Sequence, residues 1–358
     1  MTTTVMLSGG GTGGHIFPAL ALREELLRRH PGWNFVFVGT RRGLETQIVP
    51  RHGVTLEFID IEGLIGRGLR SLRALMKLPG AIASAKKLLK KYSPGLVAGF
   101  GGYASFPLLW AASGMNIPTL IHESNLVPGF ANRRLAGRVT ARASAFAVTR
   151  HTWPDTVVTG MPVRAAFAAA GARRLARPGE MRVLIAGGSR GAAGLNRMVE
   201  TDLDALLKIP GIRIRHQTGA AQFEKFSALY RENNLVSPEP FIADMAEAMG
   251  AADLFVGRAG ASTLAENTVA GLPAVLIPCP AAAGDHQVKN AGGLAGLGAA
   301  QVLEEKEFHP GALAEKISAL RKQPEMLQKM AAAASQAATP DAAAKLADLA
   351  EKIMGAAS

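Results

Sequence analysis

Short apolar runs rich in β-branched and aromatic residues recur along the chain: TVMLS, FVFVG, LEFID, LVAGF, TLIHE and AFAVT in the first half, then RVLIAG, RIRHQ, DLFVG and AVLIP in the second. Between them stand longer stretches with apolar positions at helical spacing, and this alternation predicts an α/β fold of parallel strands joined by crossover helices. Two strands run into glycine turns that precede helical patterns: TVMLS into GGGTGGH at Gly9 to His15, and RVLIAG into GGSRGA at Gly187 to Ala192. The turns lie 178 residues apart, half the chain. The pattern therefore predicts two Rossmann-like domains, over 1–163 and 164–340, with a boundary near GMPVR (Gly160 to Arg164) and a ligand cleft between them. Thr339, Pro340 and Asp341 mark the start of a last helix, over 341–358, which is expected to pack back on the first domain.

Composition agrees with two cores. A chain of 358 residues exceeds what one hydrophobic core usually supports, and 48% hydrophobic with 19% charged residues is globular composition. The single cysteine, Cys279, stands between Pro278 and Pro280, which excludes a disulfide framework within the chain and fits a reducing compartment. The N-terminus runs straight into a strand, without a signal-peptide pattern, so export is not expected. Gly95 to His122 carries no charge, but Gly99, Gly101, Gly102, Pro107, Asn116 and Pro118 divide it into strand, turn, helix and strand rather than a membrane span.

Net charge is +12, and its placement is uneven: residues 1–163 hold 19 Lys and Arg against 8 Asp and Glu, residues 164–358 hold 21 against 20. Between Glu62 and Asp155 the only acid is Glu123, so the first half is expected to face phosphates, anionic lipid or nucleic acid. The segment Gly63 to Tyr92 has eight cations and no acid, with Leu69, Leu72 and Met76 at helical spacing beside Arg70, Arg73 and Lys77. It reads either as an interfacial helix on an anionic membrane or as a core helix with a solvated basic face. No nucleic-acid-binding motif or aromatic stacking pattern accompanies it, so nucleic acid is not an expected partner.

In GGGTGGH, Gly9, Gly11 and Gly14 satisfy the GxGxxG spacing, whose glycines admit a close backbone approach while the next helix offers free N–H groups to an oxyanion. His15 stands where turn becomes helix, as a capping histidine or as a base able to take a proton from a sugar hydroxyl. The second strand is followed by Thr40, Arg41 and Arg42 rather than an acid, which leaves an NADP-type dehydrogenase as an alternative. GGSRGA adds Ser189 and Arg190. Farther on, a strand, the turn with Ala261, Ser262 and Thr263, and a helix bearing Glu266 suit a phosphate at the helix end and a ribose diol on the carboxylate. The pair Asp202 and Asp204 imitates the DxD of metal-dependent transferases, but residues two apart on a helix point to different faces, and no metal site is expected.

GGGTGGH, FGGYASFP, HESN, GMPVR, GGSRGA, HQTG, FIADM, RAGAST followed by AEN, GLPAVLIP and DHQ occur in one order from Gly9 to about Asn290. Together they resemble the bacterial undecaprenyl-diphospho-muramoylpentapeptide N-acetylglucosaminyltransferase family, of GT-B architecture, with two Rossmann-like domains whose parallel sheets face a central cleft. The resemblance implies that N-acetylglucosamine passes from its UDP donor to the C4 hydroxyl of a lipid-linked muramyl-pentapeptide, with inversion and without a cofactor. It implies His15 as base, Thr12, Gly13 and Gly14 lining the cleft, and Tyr103 on the acceptor side. Asn125, Arg164 and Ser189 would meet the donor, and Ile242 would meet uracil through its backbone. Ala261, Ser262, Thr263, Leu264, Ala265 and Glu266 would hold the nucleotide, with Glu266 on the ribose, and Gln287 would face the sugar. Met161 and Arg190 depart from the Asn and the Gln or Leu common at those positions. A peripheral place on the cytoplasmic face of the membrane and other cell-wall synthesis proteins as partners are also implied. The alternatives are another UDP-sugar enzyme, such as an epimerase or a transferase to a soluble acceptor, and a non-enzymatic polyanion-binding module.

Overall fold

The computed structural model describes residues 2–61, 70–125, 128–172, 179–188, 191–231, 233–280 and 285–356, with backbone alone for 70–76 and 148. The chain forms two compact units, Met1–Arg164 with Asp341–Ser358, and Ala165–Pro340.

The first unit is built on seven parallel strands: β1 (Thr4–Ser8), β2 (Asn34–Gly39), β3 (Thr55–Phe58), β4 (Leu96–Gly99), β5 (Thr119–Glu123), β6 (Ala141–Ser144) and β7 (Val157–Val158). They lie in the order β3-β2-β1-β4-β5-β6-β7. Its helices are α1 (Gly13–Arg29), α2 (Glu45–Arg51), α3 (Arg70–Tyr92), α4 (Ser105–Ser113) and α5 (Phe130–Leu135). Because crossover helices cover both faces, the central strands are apolar throughout rather than alternating. Val5, Leu7, Phe35 and Phe37 face α1, while Met6, Val36, Val38 and Val97 face Ala81, Ala85 and Leu89 of α3 and Leu108, Leu109 and Ala112 of α4. The first of these cores is completed from the far end of the sequence, by Leu346, Ala347, Ala350 and Ile353 of the last helix, α15 (Ala342–Gly355). Arg29 ties that helix down through Asp348 at 2.7 Å and Glu351 at 2.9 Å.

The second unit has six parallel strands, β8 (Met181–Ala186), β9 (Ile212–Gln217), β10 (Val236–Glu239), β11 (Leu254–Gly257), β12 (Ala274–Leu276) and β13 (Ala300–Val302), in the order β10-β9-β8-β11-β12-β13. Its helices are α6 (Ala165–Ala172), α7 (Ala193–Thr201), α8 (Leu203–Leu207), α9 (Phe223–Leu229), α10 (Met245–Ala251), α11 (Ala261–Val269), α12 (His286–Gly296), α13 (Ala312–Arg321) and α14 (Pro324–Ala337).

The AFAVT run is not a strand. The sheet strand lies just before it, at Ala141–Ser144, and Ala147–His151 closes into a 3-10 turn with Thr149 N–H on the Phe146 carbonyl. The strands that the apolar pattern does not announce are short and peripheral: β7, β10 and β13 are sheet edges, and β10 contains Pro238, which an edge tolerates. Asp202 closes α7 and is buried, with its carboxylate accepting the N–H groups of Gly311, Leu313 and Ala314 at the start of α13, while Asp204 is exposed. The two acids therefore face apart, and the first is a helix-end acceptor.

Candidate functional site

In a doubly wound sheet the ligand crevice opens at the carboxyl ends of the two strands from which the order departs in opposite directions. In the first unit these are β1 and β4, paired so that Ser8 stands beside Gly99. The turns that follow, Gly9 to Thr12 and Phe100 to Ala104, consequently meet. Gly102 has φ +82°, and a Cβ there would lie 2.6 Å from the Gly10 carbonyl oxygen; Gly101 has φ +95°, and its Cβ would lie 3.0 Å from His15 Nε2. Only glycine supplies both that backbone conformation and that clearance.

His15 is half-buried in the first turn of α1, and its Nδ1 lies 3.0 Å from the Gly10 carbonyl oxygen. A carbonyl only accepts, so Nδ1 carries a proton, and in the neutral ring the lone pair is on Nε2, turned toward Gly101. Two other histidines are buried structural groups: His122 bonds the Gly160 carbonyl at 2.9 Å, and His216 bonds the Tyr230 hydroxyl and Asn196. Burial pushes each of these imidazoles down to about 4, which keeps them neutral and inside the core.

Thr12, the residue before α1, is exposed and extended, with no side-chain cap bond, and the first turn of α1 holds no acid. Gly13 is buried and Gly14 half-buried behind it. Tyr103 is among the exposed large side chains, at 43%. Asn125 donates its Nδ2 to Glu123 Oε1 at 3.0 Å, and the same buried carboxylate accepts from the backbone of Asn125 and Gly129 and from Asn132 Nδ2. Arg164 lies over the Phe17 ring of α1 at 5.4 Å. Burial raises the nearby Glu24 carboxyl, against the opposing charges of Arg164 and Arg23.

In the second unit the corresponding crevice lies beyond β8 and β11, where Ala186 pairs with Gly257. The turn after β8 contains Gly188 at φ +88° and Gly191 at φ +75°; Ser189 and Arg190 lie outside the described residues. Buried Gln217, at the end of β9, bridges the turn after β8 to the segment after β10, with Nε2 donating to the Gly188 carbonyl at 2.8 Å and Oε1 accepting from Ile242 N–H at 2.9 Å. Ile242 therefore has its carbonyl, rather than its N–H, to offer a base. Beyond β11, Ala261, Ser262 and Thr263 form the first turn of α11, free of acids, behind Gly260. Asn290 of α12 donates to the Ala259 carbonyl, and Arg258 holds the Ile277 and Pro278 carbonyls and pairs with Glu305 at 2.6 Å. Glu266 is 9% exposed on α11; Leu264 is buried and Ala265 half-buried. Gln287 accepts the Cys279 N–H at 2.9 Å, tying α12 to the segment after β12.

Leu69 lies outside the described residues, and Arg70, Leu72, Arg73 and Met76 belong to the backbone-only stretch of α3. Lys77 lies 3.6 Å from Asp60. The later part of α3 uses its apolar face internally, burying Ala81, Ala85 and Leu89 while Lys86, Lys87, Lys90 and Lys91 remain exposed. Among the described residues no group of three His, Cys, Asp or Glu is placed to hold a metal ion, and no helix is long and apolar enough to cross a membrane.

The chain matches the glycosyltransferase family 28 N-terminal domain over residues 5–144 and the glycosyltransferase family 28 C-terminal domain over residues 182–346. It is 42% identical to the UDP-N-acetylglucosamine--N-acetylmuramyl-(pentapeptide) pyrophosphoryl-undecaprenol N-acetylglucosamine transferase of Anaeromyxobacter sp. (strain Fw109-5), covering 98% of this chain and 93% of that one. Among solved structures it resembles MurG of Acinetobacter baumannii, with 35% identity, a TM-score of 0.76, and coverage of 98% of this chain and 99% of that one. A UDP-N-acetylglucosamine 2-epimerase shares the fold at a TM-score of 0.63 and 14% identity, covering 97% of this chain and 95% of that one, which is a likeness of fold alone.

Proposed function

The chain belongs to glycosyltransferase family 28, and on that premise we propose that it transfers N-acetylglucosamine from UDP-N-acetylglucosamine to undecaprenyl-diphospho-muramoyl-pentapeptide, the lipid I to lipid II step of peptidoglycan synthesis. Its two units have the parallel sheets of the GT-B fold. The observation that carries the mechanism is the state of His15, whose Nδ1 is held on the Gly10 carbonyl so that Nε2 is the basic nitrogen in the first crevice.

The acceptor's muramyl C4 hydroxyl attacks the anomeric carbon of the donor sugar as the bond to UDP breaks on the opposite face, which inverts that carbon and gives a β-1,4 linkage. His15 Nε2 takes the hydroxyl proton as the new bond forms. The diphosphate leaves with its negative charge against the acid-free N-terminus of α11, where Ala261, Ser262 and Thr263 present backbone N–H groups and two hydroxyls. Glu266 accepts hydrogen bonds from the ribose diol. The Ile242 carbonyl accepts uracil N3–H, a proton that cytosine lacks, so Gln217, by occupying the Ile242 N–H, contributes to the choice of base. Asn125, Arg164, Ser189 and Gln287 complete the donor contacts, and Thr12, Gly13, Gly14 and Tyr103 those on the acceptor side.

A lipid-linked acceptor puts the reaction at the cytoplasmic face of the membrane, with the protein bound peripherally. The exposed lysines of α3 and the excess of basic residues in the first half support that reading, each near-surface cation contributing about 1 kcal/mol on an anionic leaflet. Leu69, Leu72 and Met76, with Arg70, Arg73 and Lys77, are the proposed insertion point, since the later apolar positions of α3 belong to the core. Sedimentation with phospholipid vesicles tests this. The protein is expected to pellet with vesicles containing phosphatidylglycerol and to be released as salt rises, whereas equal recovery with purely zwitterionic vesicles would remove the electrostatic basis.

A further inference from the structure

Glu45, the first residue of α2, is fully buried directly beneath the first glycine turn. Its Oε1 accepts the Thr40 N–H and the Thr40 hydroxyl, each at 2.8 Å, and its Oε2 accepts the Gly11 N–H at 3.1 Å. Three glycines make room for it: a Cβ on Gly10 would stand 2.9 Å from Oε1, and one on Gly39 or Gly43 would overlap the side chain. Each group it bonds is a donor, the arrangement that suits an ionised carboxylate, which has acceptor sites only.

The Gly11 N–H and the Gly10 carbonyl are two ends of one planar peptide group. The carboxylate accepts from one end while the other accepts from His15 Nδ1. We propose that Glu45 is a positioning residue for the transfer reaction, fixing the Gly10–Gly11 peptide plane and, through it, the tautomer and direction of the His15 ring. A peptide between two glycines, with Gly11 at φ +86°, has little steric resistance to rotation about its neighbouring bonds. Rotation by half a turn would present an N–H to Nδ1, drive the ring proton to Nε2 and remove the base. The carboxylate prevents this, and it polarises the amide so that its carbonyl is a stronger acceptor.

This role for Glu45 rests on His15 being the base, and a double-mutant cycle separates the two claims. Turnover is measured with saturating UDP-N-acetylglucosamine and a short-chain lipid-linked muramyl-pentapeptide acceptor in wild type, Glu45→Gln, His15→Ala and the double variant. The side-chain amide introduced by Glu45→Gln would turn an NH2 toward the Gly11 N–H or surrender a Thr40 bond. The substitution is therefore expected to lower kcat about 10- to 100-fold, as misplacement of a reacting group does, with UDP affinity unchanged. In the His15→Ala background the same change is expected to alter the residual rate less than about twofold. An equal loss in both backgrounds, or full turnover in Glu45→Gln, would overturn the role of Glu45; full turnover in His15→Ala would overturn the base itself. Thr40→Val, which withdraws one donor from the same carboxylate, carries the same non-additive prediction with a smaller loss if Glu45→Gln does not fold. Nitrogen-15 shifts of the His15 ring give a readout without catalysis: Nδ1–H in wild type, and a mixture including Nε2–H in Glu45→Gln. An unchanged tautomer would also count against the proposal.

Discussion

Replacing His15 with alanine is expected to lower turnover by at least about a hundredfold while leaving UDP binding within twofold of wild type, because a positioned general base contributes ~10² to 10⁴ in rate. The separation of the two effects follows from where the groups sit. His15 belongs to the first turn of α1, in the first unit, whereas the proposed nucleotide contacts on α11 belong to the second. Gly9, whose Cβ would run into the His15 carbonyl, shows how closely the turn is folded on the helix start, yet the imidazole itself is half-buried and its removal leaves no large void. Comparison of kcat with the calorimetric UDP affinity checks the split. Loss of both together would point to a folding defect, and retention of full turnover would remove His15 from the chemistry.

Glu266→Ala is expected to show the opposite pattern. A carboxylate accepting from a ribose diol makes charge-assisted hydrogen bonds worth about 1.5–3 kcal/mol, so UDP affinity should fall about 10- to 150-fold, with kcat at saturating donor reduced far less. Glu266 is nearly buried on α11, and the acid-free start of that helix means that no neighbouring carboxylate in the first turn substitutes for it. Titration with UDP and CDP in parallel adds a check on the base: UDP is expected to bind more tightly in wild type and to keep that preference in Glu266→Ala, since the preference belongs to Ile242. Unchanged UDP affinity in Glu266→Ala would take the ribose contact away from this residue.

The central strands were legible because burial on both faces makes them continuous apolar runs, and β1, β5 and β8 coincide closely with TVMLS, TLIHE and RVLIAG. Of the edges, β3 was announced by LEFID but β7, β10 and β13 were not, since β7 has two residues, β13 has three and β10 is interrupted by Pro238. AFAVT misled for a related reason: an apolar alternation can serve a 3-10 turn when the ladder partner has already ended. At the site, glycine announced the turns, because positive φ and absent Cβ atoms are sequence-visible requirements. Glu45 and Gln217 left no such mark. Gln217 bonds only backbone groups brought near by the sheet, and Glu45 bonds two backbone N–H groups and the hydroxyl of Thr40, a residue type too common to betray a partner. Gly39 and Gly43, which flank the Glu45 carboxylate, were the one available hint. In α3 the sequence offered two burial partners for one apolar face, and the later turns, at Ala81, Ala85 and Leu89, belong to the protein core.

The proposed activity is tested most directly by transfer of labelled N-acetylglucosamine from its UDP form to a short-chain lipid-linked muramyl-pentapeptide, with other UDP-sugars in parallel and no added metal. Acceptor-dependent label is expected in the lipid fraction from UDP-N-acetylglucosamine, and little from the other donors. Folded, UDP-binding protein that leaves the lipid acceptor unlabelled would contradict it.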